Sequence, residues 1–437
     1  MTEAPKRLHY AWVVALVSFF VLIAVAGVRS TAGVIIVPLE ADTGWTVGTI
    51  SVAVAINVML YGLMGPFAAA LMARFGTRNT VVCALGIMAV SCASTSLIRS
   101  PLQLYLTWGL GVGLGVGMVS MAFATMIATR WFHAKRGLVL GAMTGATATG
   151  QLIFLPSLAW LAERSGWRSV GLAVSLVAVV VAIPVMFFMR DHPESMGLRP
   201  FGAPPDEVIA PPSAGNPLGR AFGVLKRGLR NRDFLLVAGT FYVCGASTNG
   251  FIGTHFIKVC GDHGIPEVTA AGTLAFMGLF SLIGTTLAGW LSDRFAPGKL
   301  LFLFYGTRGL SLLILPFVID RYGLPAISVF MVFFGLDWLA TVGPNVRALT
   351  AALGKNDAPI AVGWIGVVHQ MGAGTIALLA GIVRTNTLSY LGAFLFSGTL
   401  CLMAAMLALA IGRGRKRAER SDNPTSVPSA SPRPVLA

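Results

Sequence analysis

Four charged or titratable side chains sit inside long apolar runs: Arg29 in "AGVRSTAGVII", Arg308 in "FYGTRGLSLL", Asp337 in "FGLDWLATVGPN" and His369 in "GWIGVVHQMGAG". A guanidinium offers two parallel hydrogen bonds to a carboxylate. An imidazole binds an anion when protonated and can carry a proton. Asp337 and Arg308 can neutralise each other, and protonation of Asp337 can break such a pair. Each has a structural alternative. Arg29 can snorkel to headgroups, His369 can be a neutral packing group bonded to Gln370, and Arg308 with Asp337 can be a static pair.

The surroundings decide between these readings. The chain has 437 residues, 55% hydrophobic and only 11% charged, with mean hydropathy +0.77. Soluble domains carry about 25% charged residues. A bilayer-spanning helix needs about 20 apolar residues. Blocks of that length recur at 10–37, 47–73, 79–98, 102–128, 137–160, 169–189, 234–257, 270–291, 300–319, 324–346, 360–383 and 388–411. The first is too long for a signal-peptide core, so it is expected to stay as helix 1. The fold expected is an all-α polytopic membrane protein. At the centre of such a helix a cation costs at least ~2.5–3.5 kcal/mol and usually faces a cavity or a partner. By helix rise, Arg29 lies about 28 Å from Tyr10, toward the outer side.

The net charge of +15 raises nucleic acid as a partner, but the distribution answers it. With the N-terminus inside, the outer connections carry only Arg99, Arg164, Arg168, Lys258, Arg321 and Arg384, and Arg29 and Arg308 lie within spans. The other Lys and Arg fall on the inner side. That is the positive-inside asymmetry. It places both termini in the cytoplasm and makes the bilayer, not nucleic acid, the partner.

Residues 190–233 are rich in Pro, Gly and charge, as in a linker. They divide the chain into an N-terminal six-helix bundle (1–189) and a C-terminal one (234–411), followed by a basic, disordered tail (412–437). Within the linker, "AFGVLKRGLRN" is either a short basic helix on the inner membrane surface or plain solvated chain. Gly109, Gly113 and Gly117 recur every fourth residue in span 4, as do Gly111 and Gly115, and Gly137, Gly141 and Gly145 continue the pattern in span 5. Such spacing suits close backbone approach in lipid and movement of one helix against another.

No nucleotide-binding loop, nucleophile elbow, dinucleotide fingerprint or metal-spaced His/Glu helix is present, and the five cysteines have no metal spacing. No enzyme, cofactor or metal centre is expected. Transport driven by a gradient is what remains.

Twelve spans in two halves with a long inner linker resemble the major facilitator superfamily. Its loop motif stands after span 8 as "GWLSDRFAPGK", with Asp293 and Arg294. It recurs after span 2 as "AALMARFGTR", which keeps Arg74 and Arg78 but has Ala73 in the acidic place. The resemblance implies that these residues gate the inner face. The stretch "LYLTWGLGVGLG…ATMIATRWFHAKRGLVLGAMTGATATGQLIFLP…SGWRS" and "PLEADTGWTVGTIS" are similar to the bacterial branch of monocarboxylate transporters and oxalate–formate antiporters.

That branch implies a basic residue near Arg29 handling the substrate, and a lysine contacting it near His369. The helix-8 arginine of the branch is replaced by Thr285, so Thr285, Thr248, Asn249 and Asn57 are expected to make a more neutral hydrogen-bonding cavity. His255 either gates the outer entrance or lies exposed in a loop. The function expected is that of a monomeric inner-membrane carrier moving a small organic anion, a monocarboxylate, with a proton by alternating access. Substrate contacts are assigned to Arg29, His369, Asn249, Thr285 and Asn57, and proton coupling or an ion pair to Asp337 and Arg308. The alternatives are a carrier of a neutral or larger nutrient, an exporter, or a receptor without flux.

Overall fold

The computed structural model describes residues 9–119, 121–204 and 217–413, and among these there is no strand. Eleven helices are long and apolar enough to cross a membrane, and one of them, Arg136–Phe188, has 53 residues. As a single rod it would reach about 80 Å, against a hydrocarbon core of about 30 Å. It breaks at Gly166, where φ 76° and ψ 168° suit a residue with no Cβ. Twelve spans result: α1 (Tyr10–Thr43), α2 (Val47–Phe75), α3 (Thr77–Thr95), α4 (Pro101–Trp131), α5 (136–165), α6 (167–188), α7 (Arg232–Asp262), α8 (Glu267–Arg294), α9 (Pro297–Tyr322), α10 (Leu324–Leu353), α11 (Ala358–Thr387) and α12 (Leu391–Ala408).

Most helices outrun their apolar blocks, because local chemistry and not lipid sets the ends. Gly44, at φ 69°, stops α1 six residues beyond the expected 37. Thr46 and Asn231 accept from backbone N–H groups in the first turns of α2 and α7, satisfying donors a helix start leaves open. With α1 extended, Arg29 has about 21 Å of helix beyond it and lies closer to mid-helix than the sequence implied.

The α4 glycines work as the spacing predicts. A Cβ on Gly113 would stand 2.9 Å from the Asn57 backbone, and one on Gly117 2.5 Å from Met64. The α5 continuation does not: Gly137, Gly141 and Gly145 meet nothing within 4 Å. They face open space on the side of the membrane where the described chain begins and ends, as do Gly65 of α2 and Gly363 and Gly366 of α11.

On the far side the helices touch. Thr385 of α11 accepts from Gly48 N–H at 2.9 Å, and Lys258 of α7 meets Glu40 of α1 at 2.7 Å. Among the described residues, the helices meet at the far face and leave open space on the side of the termini.

The segment "AFGVLKRGLRN" lies largely within a helix, Pro217–Gly228. It is docked on protein: Val224 is fully buried, Ala221 O accepts from Trp364 Nε1 at 2.9 Å, and Arg227 meets Asp357 at 2.5 Å. Residues 205–216 of the linker and 414–437 of the tail lie outside the described residues.

Candidate functional site

The α10 helix is interrupted just after Asp337: one α-helical stretch ends at Trp338 and the next starts at Val342. An interruption inside a membrane frees carbonyls that need donors. The Asp337 carbonyl takes Ala340 N–H at 3.2 Å and is also met by Arg308 of α9. Its Nη2 donates to the Asp337 carbonyl at 2.7 Å and its Nε to Asp337 Oδ2 at 2.5 Å. Its Nη1 reaches Cys244 Sγ at 3.0 Å and Ser247 Oγ at 3.4 Å on α7. The guanidinium is fully enclosed, 0% exposed against 7% for the aspartate side chain. The pair expected from the sequence is present, held by these bonds and by the attraction of the two charges. Asp337 Oδ1 has no partner among the described residues.

Cys244 extends the cluster. Its thiol also lies 3.5 Å from Thr341 Oγ1 and near the side chain of His369. His369, half-buried, stacks on Phe241 at 4.6 Å. Backbone contact brings the two helices this close: a Cβ on Gly245 would stand 1.8 Å from the His369 carbonyl oxygen. Sequence reading took Cys244 for one of five scattered thiols. In space it joins His369 to Arg308 and Asp337.

Arg29 has a different environment. It is half-buried, lies 4.5 Å from the Tyr61 ring centroid, and makes no ion pair with another described residue. Tyr61 precedes Gly62, against whose Cα side the Gln370 side chain is pressed. Gln370 is buried with its Oε1 unpartnered among the described residues, and His369 precedes it. Gly62 and Gln370 thus pack α2 against α11, and Tyr61 and His369 are their neighbours in the chain.

The remaining expected contacts are not brought together there. Asn57 uses its amide to bond the Trp108 carbonyl at 2.9 Å, fixing α2 to α4. Thr285 and Thr248 bond carbonyls of their own helices, at 2.6 and 2.7 Å. The Asn249 side chain, half-buried on a π turn of α7, makes no hydrogen bond to another described residue. His255 is not exposed in a loop. It is fully buried, with Nε2 2.8 Å from the Ala377 carbonyl and Nδ1 3.0 Å from Tyr390 Oη. A carbonyl only accepts, so Nε2 carries the proton and Nδ1 accepts from the phenol.

Neither copy of the loop motif is ion-paired within the described chain. Arg294 stacks on Trp290 at 3.8 Å and Arg74 lies 5.4 Å from the Phe75 ring, while Asp293 is exposed. Where Ala73 removes the acid, Asp191 from the end of α6 substitutes for it in part. Its Oδ1 accepts from Arg78 N–H at 2.8 Å at the start of α3. Arg130 of α4 donates to Thr77 at 3.2 Å.

At the far face, Lys258 also lies 3.5 Å from Asp262, which Arg384 holds by two bonds of 2.6 and 2.9 Å. Sequence reading sorted these charges only by side of the membrane.

The sequence profile described as Major Facilitator Superfamily matches residues 18–358. Monocarboxylate transporter 13 of Bos taurus is 25% identical over 406 residues, covering 91% of this chain and 88% of its own. An uncharacterized MFS-type transporter, YcxA of Bacillus subtilis (strain 168), is 26% identical over 391 residues, covering 87% and 89%. Among solved structures, a D-xylose–proton symporter superposes with TM-score 0.68 at 15% identity over 92% of this chain and 98% of its own. A bacterial homologue of the lysosomal transporter Spinster, inward-facing and unoccupied, does so with TM-score 0.68 at 16% identity over 96% and 98%. With its all-helical multi-pass fold and this match over most of its length, the chain belongs to the major facilitator superfamily, whose members are transporters of small molecules and not enzymes.

Proposed function

We propose that the protein carries a small organic anion, a monocarboxylate, together with a proton by alternating access. The observation that carries this reading is Arg29: a half-buried guanidinium in a membrane helix, stacked on Tyr61, without a carboxylate partner among the described residues. An uncompensated cation at that depth is costly, and a substrate carboxylate offsets the cost through two parallel bonds. The relatives named monocarboxylate transporters support the substrate class.

In this reading His369 holds the anion from the opposite half. The chain His369–Cys244–Arg308–Asp337 links anion binding to protonation of Asp337. Asn249 contributes polar contact, with Thr285 and Asn57 at the margin. The bundles 1–189 and 234–411 rock about this site. Arg74, Arg78, Asp293 and Arg294 close the terminal face in the opposite state. The carrier acts as a monomer in a bacterial inner membrane, with both termini in the cytoplasm.

The second reading, a neutral or larger solute or an exported one, is favoured by Thr285 standing where the similar branch has an arginine. Proteoliposome uptake of labelled lactate, pyruvate, formate and oxalate, with and without an inward proton gradient, separates the two. Gradient-stimulated uptake of one acid is expected. Absence of uptake of every acid by folded protein overturns the proposal in favour of the second reading.

A further inference from the structure

The helix Pro217–Gly228 is covered on only part of its surface. Ala221, Val224 and Leu225 belong to one apolar cluster with Phe234 of α7 and Trp364 of α11. On one flank Arg220 donates to the Asn356 carbonyl at 3.2 Å and Arg227 meets Asp357, both in the α10–α11 turn. The opposite flank is exposed. Leu229 N–H donates to the Leu225 carbonyl at 2.8 Å and carries the helical turn past Gly228. Phe222, Lys226 and Leu229, at four- and three-residue spacing, therefore stand on one side. Phe222 and Leu229 are 50% and 55% exposed. Lys226 and Arg230 beside them are exposed and make no ion pair with another described residue. The depth is that of lipid headgroups. α7 follows at Arg232, and its 31 residues reach about 46 Å, near the roughly 40–45 Å of a bilayer with its headgroups.

We propose that this flank is a docking surface for anionic phospholipid. Phe222 and Leu229 enter the acyl boundary, and Lys226 and Arg230 hold the headgroup phosphate. Apolar side chains bordered by basic ones are what lets a helix lie in the plane of a membrane surface. Charge selects the lipid: an anionic headgroup meets two unpaired cations, whereas a zwitterionic one brings a cation of its own. Charge also argues against the neighbouring protein as occupant. α2 passes beside this helix, but its near end carries Arg74, with Arg78 just beyond, and like charges repel. Through Arg220 and Arg227 on the opposite flank, the bound lipid steadies the turn that starts α11, the helix of His369. The surface is independent of which solute the protein carries.

The test is photo-cross-linking of the full-length protein with p-benzoylphenylalanine in place of Phe222 and, separately, of Leu229. The protein sits in nanodiscs of phosphatidylcholine and phosphatidylglycerol at about three to one, and adducts are mapped by peptide mass spectrometry. The expected result is lipid adducts at both positions, with phosphatidylglycerol exceeding its share of the bilayer about fivefold, the worth of one basic side chain at an anionic surface. The excess should shrink in about 0.5 M salt, which screens exposed charges. Lys226→Gln/Arg230→Gln, a change of exposed and unpaired side chains, should return the adducts to the bilayer's own ratio without altering the melting temperature. Adducts in proportion to bilayer composition mean ordinary lipid contact and overturn the proposal. Cross-links to α2 in place of lipid, no adduct at either position, or an excess that survives Lys226→Gln/Arg230→Gln overturn it as well.

Discussion

Two arginines inside the membrane, Arg29 and Arg308, have opposite surroundings, and this separates structure from function at the level of single residues. Arg308 is enclosed, bonded to Asp337, Cys244 and Ser247. Removing one partner of a buried pair costs about 3–5 kcal/mol, because the other charge is left alone. Arg308→Ala should therefore lower the melting temperature in detergent sharply, while the double variant Arg308→Met/Asp337→Leu should recover most of that loss and still lose proton-stimulated transport.

Arg29 supports no other described group except the Tyr61 ring. Arg29→Ala should change stability by no more than about 1 kcal/mol and reduce uptake at least about tenfold, with Arg29→Lys intermediate. Thermal unfolding and initial-rate uptake on the same preparations check both statements. Both arginines were visible in the sequence as charges in apolar runs. The Arg308–Asp337 pair was legible as well; what was not visible was Cys244, which reaches Arg308 from α7, 64 residues away, and the Tyr61 ring beside Arg29. Likewise Asp191, which serves the start of α3 in place of the acid absent at Ala73, stands 113 residues from the Arg78 it bonds.

At the scale of helices, sequence legibility tracks periodicity. The α4 glycines repeat, so their close packing could be read directly. The tightest contacts in the C-terminal half rest on isolated glycines that no pattern marks. A Cβ at Gly372 would sit 2.1 Å from the Tyr242 carbonyl oxygen, and one at Gly245 would press on His369. Gly372→Ala should push α7 and α11 apart, lowering the melting temperature and moving His369 from Cys244. Gly363→Ala on the same helix, where nothing lies within 4 Å, should change the melting temperature little. The interruption of α10 after Asp337 was also hidden, since "LDWLATVGPN" is apolar enough to continue a span. Arg308 and the turn's own N–H groups, Ala340 to Asp337 O at 3.2 Å and Val342 to Leu339 O at 3.1 Å, make it tolerable in lipid.

Across the whole molecule, the far-face closure depends on charges whose spatial arrangement the sequence did not reveal. Glu40, Lys258, Asp262 and Arg384 form one connected cluster, and the Glu40–Lys258 contact joins α1 to α7. A partly exposed pair is worth up to about 1 kcal/mol, a roughly fivefold shift in a balanced two-state equilibrium. Lys258→Gln should open the far face. In that background, Ile36→Cys, fully buried as Ile36 here, should react faster with a membrane-impermeant maleimide.

The central claim is that Arg29 is the unpaired cation that receives the substrate anion, and heat stabilisation of the purified full-length protein tests it most directly. Lactate, pyruvate, formate and oxalate would be titrated against wild type, Arg29→Lys and Arg29→Ala, with melting temperature as the readout. The account predicts that at least one acid raises the wild-type melting temperature in a saturable way. It also predicts a weaker response in Arg29→Lys and none in Arg29→Ala, whose own melting temperature stays close to wild type. An acid that stabilises Arg29→Ala as well as wild type would contradict it.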